Sequence, residues 1–422
     1  MISKNIGASI YGLISSLYPI NRSLTGPGVT QTLEILKKHI PIYIHSIPTG
    51  NKVLDWTVPQ EWTITDAWIK NSKGEKVVDF KENNLHIVGY STPFNGKLSL
   101  TQLKKRLHTL PEKPDWIPYK TSYYKKTWGF CLTQKVYDRL TEDIYEVCID
   151  STLTKGSLKY AELIIPGESE KEIIISSHIC HPSLANDNLS SVAVSVFLAK
   201  YLLKRKNKYT YRFIFAPGTI GAIVWLNKNQ KEIKNILGGI VLAGIGDKGA
   251  PTYKKTLSGN SVIDYAFEKV LSERNKKHSI INYFPYGYDE RQYNSPGFNL
   301  PVGCFMRTPW GEYPEYHTSA DNLKFISQAS LEDSYAIILD ALEEFDTQIF
   351  YKNMHPFAEP LLSRHGYYES IPSSLHMACL WTLALSEGRT PLSLVSLRSG
   401  IEIEKIEKSA QLLEKIYLLK KC

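Results

Sequence analysis

The stretch EIIISSHICHPSLANDNLSSVAVSVFLAKYLLKRK, residues 172–206, gives the strongest structural signal in this chain. Its first residues form a short apolar run that predicts a buried strand, and the longer apolar run that begins at Ser190 predicts a helix. A polar loop with two histidines, a cysteine and an aspartate separates the two elements. In α/β folds, ligands bind beyond the carboxyl ends of the strands. This loop, which contains His178 and Asp187, is therefore the first candidate for a functional site.

The same alternation continues on both sides of this stretch. Strands are predicted at residues 161–167, 211–217, 238–244 and 301–306, and helices at residues 221–230, 261–273 and 331–345. Two more helices are predicted near the start of the chain, the second of them at residues 30–40. Strands that alternate with helices predict an α/β layered core with a largely parallel sheet.

The segment between residues 41 and 114 has a different pattern, because short strand-like runs there alternate with Gly, Pro and Asn. Such a pattern is typical of short strands joined by turns, and it predicts a β-rich domain. We expect this domain to be inserted into a core that is formed by residues 1–40 and 115–350.

The last part of the chain, residues 351–422, predicts three helices with a tight middle turn, which is the pattern of a winged-helix module. The helix that would read DNA contains four glutamates, which repel phosphate. They are Glu402, Glu404, Glu407 and Glu414. We therefore expect this module to contact protein or a second copy of the chain, and we do not expect nucleic acid as the main partner.

The composition narrows the class of protein. With 43% apolar and 22% charged residues, the chain is typical of a globular protein. No apolar run reaches the roughly 18 residues that a membrane helix needs, and polar residues interrupt the mildly apolar start, unlike in a secretory signal. The net charge of +8 comes from scattered lysines. The six cysteines show no CxxC spacing, so we expect reduced thiols in a cytoplasmic protein without membrane contact.

The residue types in the first loop suit a metal. Zinc in a hydrolase is held by histidine nitrogen and carboxylate oxygen, with one position open for water, and His178 and Asp187 are suitable ligands. The alternative is a strand-end loop whose polar side chains bond to the backbone, because these residue types also favour turns. A second loop, EYPEYHTSADNLKF at residues 312–325, places another histidine, His317, after a strand and before a helix.

Three acidic side chains, in the second loop and in a third loop, are candidates for proton transfer. Glu312 and Glu315 precede the histidine of the second loop, and Asp289 lies with Arg291 in a third loop ahead of a Pro-Gly turn. Three strand-end loops rich in such residues suggest convergence on one site. For the third loop, which also contains Glu290, the alternative is an ion-pair cluster on the surface.

Taken together, the motifs resemble those of a known family. SHICHPSLANDNLSS, DERQYNSPGFNLPVG and PEYHTSADN, with PINRSLTGPG near the start, are similar to motifs of the aminopeptidase-like proteins of bacterial polysaccharide-biosynthesis clusters. These proteins are relatives of the co-catalytic zinc aminopeptidases and glutaminyl cyclases, and the resemblance covers nearly the whole chain. It implies an aminopeptidase-like (phosphorylase/hydrolase-like) α/β core of three layers with a mixed, largely parallel sheet. It also implies an inserted β-rich domain and a C-terminal winged-helix domain.

The resemblance assigns three residues of this chain to a metal site. His178 matches the first metal histidine of the aminopeptidase pattern, and His317 matches the last one. Asp187 matches the carboxylate that bridges two metals in that pattern. Zinc is therefore the expected cofactor.

Other positions of the pattern are replaced in this chain. Gly218 and Thr219 stand where it has a glutamate pair, the general base followed by a metal ligand. Cys180 stands where it has an aspartate, and at the next metal carboxylate only Asp247, displaced by several residues, is available. With so few ligands we expect one zinc ion, held by the two histidines and the aspartate.

Several residues allow two interpretations. Cys180 is either a small buried residue or a thiolate ligand, and His181 either completes the metal site or fixes the loop by bonding to the backbone. The tyrosines of IPYKTSYYKKTWGFC either pack in the core or line the substrate cleft. Our candidate substrate-binding residues are Arg291, Tyr123, Tyr124 and Asn188.

The functional hypothesis is a metal-dependent hydrolase of the aminopeptidase type that acts on a small-molecule amide or aminoacyl substrate, in polysaccharide or small-metabolite biosynthesis. Asp289, Glu312 or Glu315 would then take over proton transfer from the missing glutamate. Two alternatives stay open. One is a non-hydrolytic binding or regulatory protein on the same fold, which the missing glutamate pair favours, and the other is an acyl transferase or cyclase.

Overall fold

A computed structural model of the chain describes residues 5–141 and 144–422. The centre of this part of the chain is an eight-stranded mixed sheet. In spatial order its strands are Tyr43–Pro48, Ser157–Ile165, Tyr209–Ala216, Ser169–His178, Ile236–Leu242, Val302–Met306, Thr252–Lys254 and Ser279–Ile281. The four strands from Tyr209–Ala216 to Val302–Met306 run parallel, and the strands on either side of them pair antiparallel. The expected mixed, largely parallel sheet is confirmed.

The strand Ser169–His178 lies in the middle of the parallel part, between Tyr209–Ala216 and Ile236–Leu242. Its second half is fully buried, as expected of a strand that is covered on both faces. Alternate isoleucines of this strand belong to two different hydrophobic cores, because successive side chains point to opposite faces of a sheet.

Helices cover both faces of this sheet, so the core has three layers. The first face packs against the helices Ile6–Leu17, Pro27–Lys37, Ser191–Leu202, Val262–Glu273 and Gln328–Thr347. The second face packs against the helix Ile220–Lys228, the short helix Glu290–Tyr293 and the β-rich unit.

The helix Ser191–Leu202 is buried almost all round, because it lies between the sheet and the helices Ile6–Leu17 and Gln328–Thr347. It begins directly after the polar loop that follows His178. Buried elements therefore anchor this loop at both of its ends.

The β-rich unit is built on a four-stranded antiparallel sheet of its own. In spatial order its strands are Lys76–Asp79, Glu61–Lys70, Ile144–Thr154 and Phe94–Ser99. Short elements surround it: the strands Lys52–Val53, Trp56–Thr57, Leu107–His108 and Phe130–Cys131, and the helices Leu100–Lys104 and Gln134–Asp138.

The structure corrects the expected boundaries of this unit, residues 41–114. The strand Tyr43–Pro48 pairs with Ser157–Ile165 at the edge of the main sheet, and Ile144–Thr154 belongs to the small sheet. The physical reason is that apolar alternation predicts a strand but does not identify the strand with which it pairs.

The chain passes between the two sheets at Thr49 and again at Gly156, and hydrogen bonds join these two passages. The backbone N of Thr49 donates to O of Gly156 at 2.9 Å. The backbone N of Gly156 donates to Oγ1 of Thr49 at 3.1 Å.

The C-terminal unit contains the three expected helices in the expected order. They are His376–Leu385, Leu392–Ser399 and Ile403–Lys415. An antiparallel sheet of Glu387–Pro391, Phe350–Asn353 and Leu419–Lys421 joins the start of this unit to its end. The unit has its own hydrophobic core, and helices with a small sheet form a winged-helix arrangement. Within the described residues, no helix has both the length and the apolar character that a membrane crossing requires.

Candidate metal centre

His178 is the last residue of the strand Ser169–His178, and Asp187 lies in the loop that leads to the helix Ser191–Leu202. Both side chains are buried. Nε2 of His178 lies 2.8 Å from Oδ1 of Asp187. The two predicted ligands from this loop therefore meet inside the protein, and backbone bonding of the loop does not by itself account for their arrangement.

Two more imidazoles approach the other carboxylate oxygen of Asp187. Nε2 of His317 lies 3.1 Å from Oδ2, and Nε2 of His181 lies 3.7 Å from the same atom. Two ligand atoms that each lie about 2.0–2.1 Å from one tetrahedral zinc ion are about 3.3 Å apart. This separation falls between the N–O distances of His317 and His181 to Asp187. The side chain of His317 is 34% exposed, so the cluster lies nearest to solvent on that side, although Nε2 of His317 is itself buried.

The cluster has the properties of a cation site. The ligand atoms of His178, His181 and Asp187 lie within 4.8 Å of one another. Oδ2 of Asp187 and Nε2 of His317 are buried, and although they lie 3.1 Å apart they are not aligned for a hydrogen bond, so within the described part of the chain neither atom has a hydrogen-bond partner. A cation between the carboxylate and the ring nitrogens would satisfy both groups. The residues present therefore fit a zinc ion.

The protonation states also suit a metal. Burial lowers the pKa of His178 and holds the pKa of His181 well below its usual range, which favours neutral imidazoles. Burial alone would raise the pKa of Asp187, but the imidazoles of His181, His178 and His317 outweigh it and hold that pKa well below its usual range. Neutral imidazoles and a carboxylate are the forms in which these residues bind zinc.

The side chain of Asn188 orients the first histidine. Its Nδ2 lies 3.0 Å from Nδ1 of His178 and donates to O of Leu242 at 3.0 Å, and its Oδ1 accepts from N of Gly244 at 3.1 Å. The ring is thereby held with Nε2 toward Asp187. Asn188 was predicted to bind substrate, but its amide is fully used inside the protein, and we reassign it as a positioning residue.

Asp321 fixes the loop from the opposite side. Its carboxylate oxygens accept from the backbone N of Asn186 at 2.6 Å and of Asp187 at 2.9 Å. Asp247, the displaced carboxylate, is engaged elsewhere, because its oxygens accept from Nδ2 of Asn186 at 3.1 Å and from Oγ1 of Thr308 at 2.6 Å. Asp247 therefore orders a neighbouring turn and is not free to bind a metal.

Tyr288 covers the position at which the aminopeptidase pattern has its glutamate pair. Its ring stacks on His178 with the ring centroids 3.7 Å apart. A Cβ atom at Gly218 would lie 2.4 Å from Cε1 of Tyr288, so a larger side chain does not fit beside this ring. Cys180 is buried next to Gly218, and burial raises the pKa of its thiol to about 12. That shift disfavours the thiolate that a metal would need.

The two acidic residues of the third loop, Asp289 and Glu290, are buried, and the alternative of an ion-pair cluster on the surface is wrong. Glu290 pairs with Lys254 at 2.9 Å, and both side chains are inaccessible to solvent. Asp289 is also buried, and neither of its oxygens has a hydrogen-bond partner among the described residues. Burial, together with the charge of Glu290, raises the pKa of Asp289 to about 8. Arg291 donates from Nε to O of Tyr288 at 3.1 Å and so helps to hold this loop.

The two predicted glutamates of the second loop lie nearer to solvent. Glu312 is exposed, and Glu315 is half-buried two residues before His317. The structure therefore separates the three candidate proton carriers by depth, with Asp289 innermost.

The two predicted tyrosines differ in position. The hydroxyl of Tyr123 lies 3.1 Å from that of Tyr119, whose ring contacts those of His181 and His317 at centroid distances of 5.2 and 5.1 Å. Tyr124 is 56% exposed and donates to the backbone of the β-rich unit. Only Tyr123 is thus connected to the metal cluster through Tyr119.

Sequence reasoning missed Tyr288 and left His181 open. The signal for Tyr288 was Gly218, because a glycine in place of a glutamate leaves space that another side chain fills. The signal for His181 was its spacing of three residues from His178, but this spacing does not show which way either ring points.

Comparisons with known proteins agree with this architecture. A family profile described as a domain of unknown function, DUF4910, matches residues 11–348, and a winged helix-turn-helix profile matches residues 349–421. A Clostridium acetobutylicum protein named for polysaccharide biosynthesis and for an aminopeptidase-like domain is 48% identical over 423 residues, covering 99% of this chain and 97% of that protein. The crystal structure of a Clostridium acetobutylicum protein named as a peptidase is also 48% identical, with a TM-score of 0.82 over 99% of this chain and 96% of that one. Both names are provisional.

A more distant structure, a zinc aminopeptidase from Bacillus subtilis, has a TM-score of 0.60 at 13% identity, over 81% of this chain and 94% of its own. At that identity the likeness shows the fold alone. The expected aminopeptidase-like core and the expected winged-helix domain are both confirmed. The chain therefore belongs to the family of this domain of unknown function, DUF4910, and it has an aminopeptidase-like fold followed by a winged helix-turn-helix domain.

Proposed function

We propose that this protein is a zinc-dependent hydrolase of the aminopeptidase type that acts on a small amide or aminoacyl compound. The observation that supports this function is the arrangement of His178, His181 and His317 around the carboxylate of Asp187. The zinc aminopeptidase among the structural relatives supports the choice of metal. The name of the 48% identical relative supports a role in polysaccharide biosynthesis.

One zinc ion suits this donor set better than two. A second ion would need further carboxylates, but Gly218 and Thr219 offer none and Asp247 is engaged by other groups. Four donors are available for a single ion, whereas a catalytic zinc site needs three protein ligands and an open position. We assign the open side to His317, since it is the most exposed member of the cluster. Zinc, when bound, polarises a carbonyl oxygen and acidifies water.

We assign proton transfer to Asp289. Its carboxyl group is buried and unbonded, and its pKa of about 8 lets it hold a proton near neutral pH and exchange it. The adjacent Tyr288 stacks on His178, which brings this loop against the cluster. Glu315 is the second choice because it is half-buried near His317.

A second candidate function is a binding or regulatory protein that holds zinc without hydrolysing a substrate. The Tyr288 ring favours it, because this ring fills the space at Gly218 where the aminopeptidase pattern has its general base. In that case neither Asp289 nor Glu315 would take part in turnover.

Metal analysis and turnover of the full-length protein test the first proposal. We expect about one zinc ion per chain, and turnover on a panel of aminoacyl and N-acyl substrates that a chelator abolishes and added zinc restores. His181→Ala removes one of the three assigned ligands and is expected to lower both zinc content and turnover, and the exposed His355→Ala is the matched control. A chain that binds no zinc contradicts both functions. A chain that binds zinc but turns over no member of the panel supports the second.

A further inference from the structure

A buried arginine lies beside the candidate metal centre. Arg22 follows the helix Ile6–Leu17 and is 2% exposed. Its Nε donates to O of His181 at 2.9 Å, and its Nη1 donates to O of Leu17 at 2.7 Å. Among the described residues, Nη2 has no hydrogen-bond partner and no carboxylate forms an ion pair with the guanidinium.

The guanidinium lies beside the loop of the metal cluster, because its Nε bonds to the backbone of His181. Cys180 and Tyr119 are its neighbours, and both of these residues contact the ring of His181. Burial lowers the pKa of Arg22 to about 10, so the side chain still carries its charge near pH 7. The positive charge of Arg22 is therefore fixed next to His181, a candidate metal ligand.

A charge in this position needs a negative partner. Removing an ion from water costs several kcal/mol unless an opposite charge or full hydrogen bonding offsets it. The two carbonyl groups satisfy only part of the guanidinium, and the thiol of Cys180 is neutral because burial raises its pKa to about 12. The carboxylate of Asp187 faces the three imidazoles instead.

We propose that Arg22 binds an oxyanion of the substrate, a carboxylate or a phosphate, through Nη2. The proposal rests on the proposed hydrolase function and narrows its substrate to an acidic compound. The planar guanidinium matches the geometry of either oxyanion. The hydroxyls of Tyr119 and Tyr123 lie 3.1 Å apart, and the ring of Tyr119 contacts that of His181, so this pair would offer a further donor near the cluster. The acidic group of the substrate would then lie against the wall that carries His181, with the bond to be cleaved toward the zinc ligands.

Calorimetric titration of the zinc-loaded, full-length protein with inorganic phosphate and with acetate tests this site. We expect Arg22→Gln to weaken the tighter of the two probes about 10- to 100-fold, which is the range for a hydrogen bond to a charged group. Arg22→Lys keeps the charge and should weaken it less. Arg106→Gln is the matched control, because Arg106 is half-buried and bonds to Thr127 in the β-rich unit. The tighter probe identifies the oxyanion as phosphate or carboxylate.

Two further measurements keep the result interpretable. Because phosphate also binds zinc, the titrations are repeated on metal-free protein, where the difference between the wild type and Arg22→Gln should persist. If the variant does not fold, a crystal structure of the wild type with the tighter probe should show the oxyanion within hydrogen-bonding distance of Nη2. Failure of both probes to bind, equal binding by wild type and Arg22→Gln, or only water at Nη2 overturns the proposal. Loss of zinc with anion binding retained would instead overturn the hydrolase function alone.

Discussion

Two neighbouring strands, Ser169–His178 and Tyr209–Ala216, run parallel and end side by side, with His178 opposite Ala216. The loop beyond the first strand carries candidate metal ligands, whereas the loop beyond the second begins with Pro217 and Gly218, which offer no ligand side chain. Both strands are buried and well paired. The sheet forms in the same way whether or not the loops at its strand ends contain metal-binding side chains. The fold alone therefore does not show which strand end can bind a metal, and the side chains of each loop decide it.

The largest effect is expected at the ligand-bearing end. Asp187→Asn removes the carboxylate that faces all three imidazoles, and zinc affinity should fall by more than the roughly 10- to 100-fold that the loss of an outer partner costs. Competition with a chelating dye measures it, and the exposed Asp55→Asn is the control. An unchanged zinc affinity would show that the metal does not bind at this strand end.

Replacing Asn188, which holds the ring of His178, should lower the zinc affinity less. Asn188→Ala removes the amide that holds the imidazole, and zinc affinity is expected to fall about 10- to 100-fold while the fold is kept. Asn229→Ala is the matched control, since its half-buried amide donates only within its own helix turn. Equal affinity in both variants would show that the ring of His178 is held by other contacts.

The end of the strand Tyr209–Ala216 is tested by placing an acidic side chain at Gly218. Gly218→Glu should lower the free energy of unfolding by about 1–3 kcal/mol, because the new side chain meets the ring of Tyr288. Urea denaturation measures the loss, and adding Tyr288→Ala to the same chain should recover part of it. A stable Gly218→Glu protein that binds a second zinc ion would show that both strand ends can hold ligands.

The smallest effect concerns the first halves of these two strands and the neighbouring strand Ser157–Ile165. Arg212 binds Glu172 at 2.6 Å and Glu162 at 2.9 Å, which joins three neighbouring strands. Burial opposes ionisation of Glu162, but the indole of Trp225 and the charge of Arg212 outweigh it and lower its pKa from 4.5. A carboxylate with a lower pKa in the folded chain stabilises the fold above its unfolded pKa, and this contribution is lost as pH falls through the folded pKa.

Glu162→Gln should therefore flatten the dependence of the unfolding free energy on pH below about pH 4.5. Urea denaturation of the wild type and the variant between about pH 3 and pH 7 measures this slope. Identical slopes would show that the pKa of Glu162 is the same in the folded and the unfolded chain.

The features that sequence could predict are those that depend on local pattern or on motif. Strand and helix periodicity located the main elements of the core, and the motif resemblance identified His178, Asp187 and His317. Partners far apart in the chain could not be predicted in the same way. The pairing of Tyr43–Pro48 with Ser157–Ile165 joins segments more than a hundred residues apart, and apolar alternation contains no information about such a partner.

The candidate site shows the same division. Tyr288 and Gly218 are seventy residues apart in sequence, and their contact depends on how two loops pack. The charges of Asp289 and Glu290 suggested a surface position, because acidic residues are usually exposed. Glu290 is buried in a pair with Lys254, which joins the short helix Glu290–Tyr293 to the strand Thr252–Lys254, and neither segment reveals this contact alone.

The hydrogen bonds between Thr49 and Gly156 have a consequence for unfolding. They tie together both passages of the chain between the main sheet and the small sheet. Separating the two sheets would also expose the hydrophobic core to which both of them contribute side chains. In thermodynamic terms the two sheets form one cooperative unit, which should melt in a single transition. The C-terminal unit, which has a core of its own, is free to melt in another.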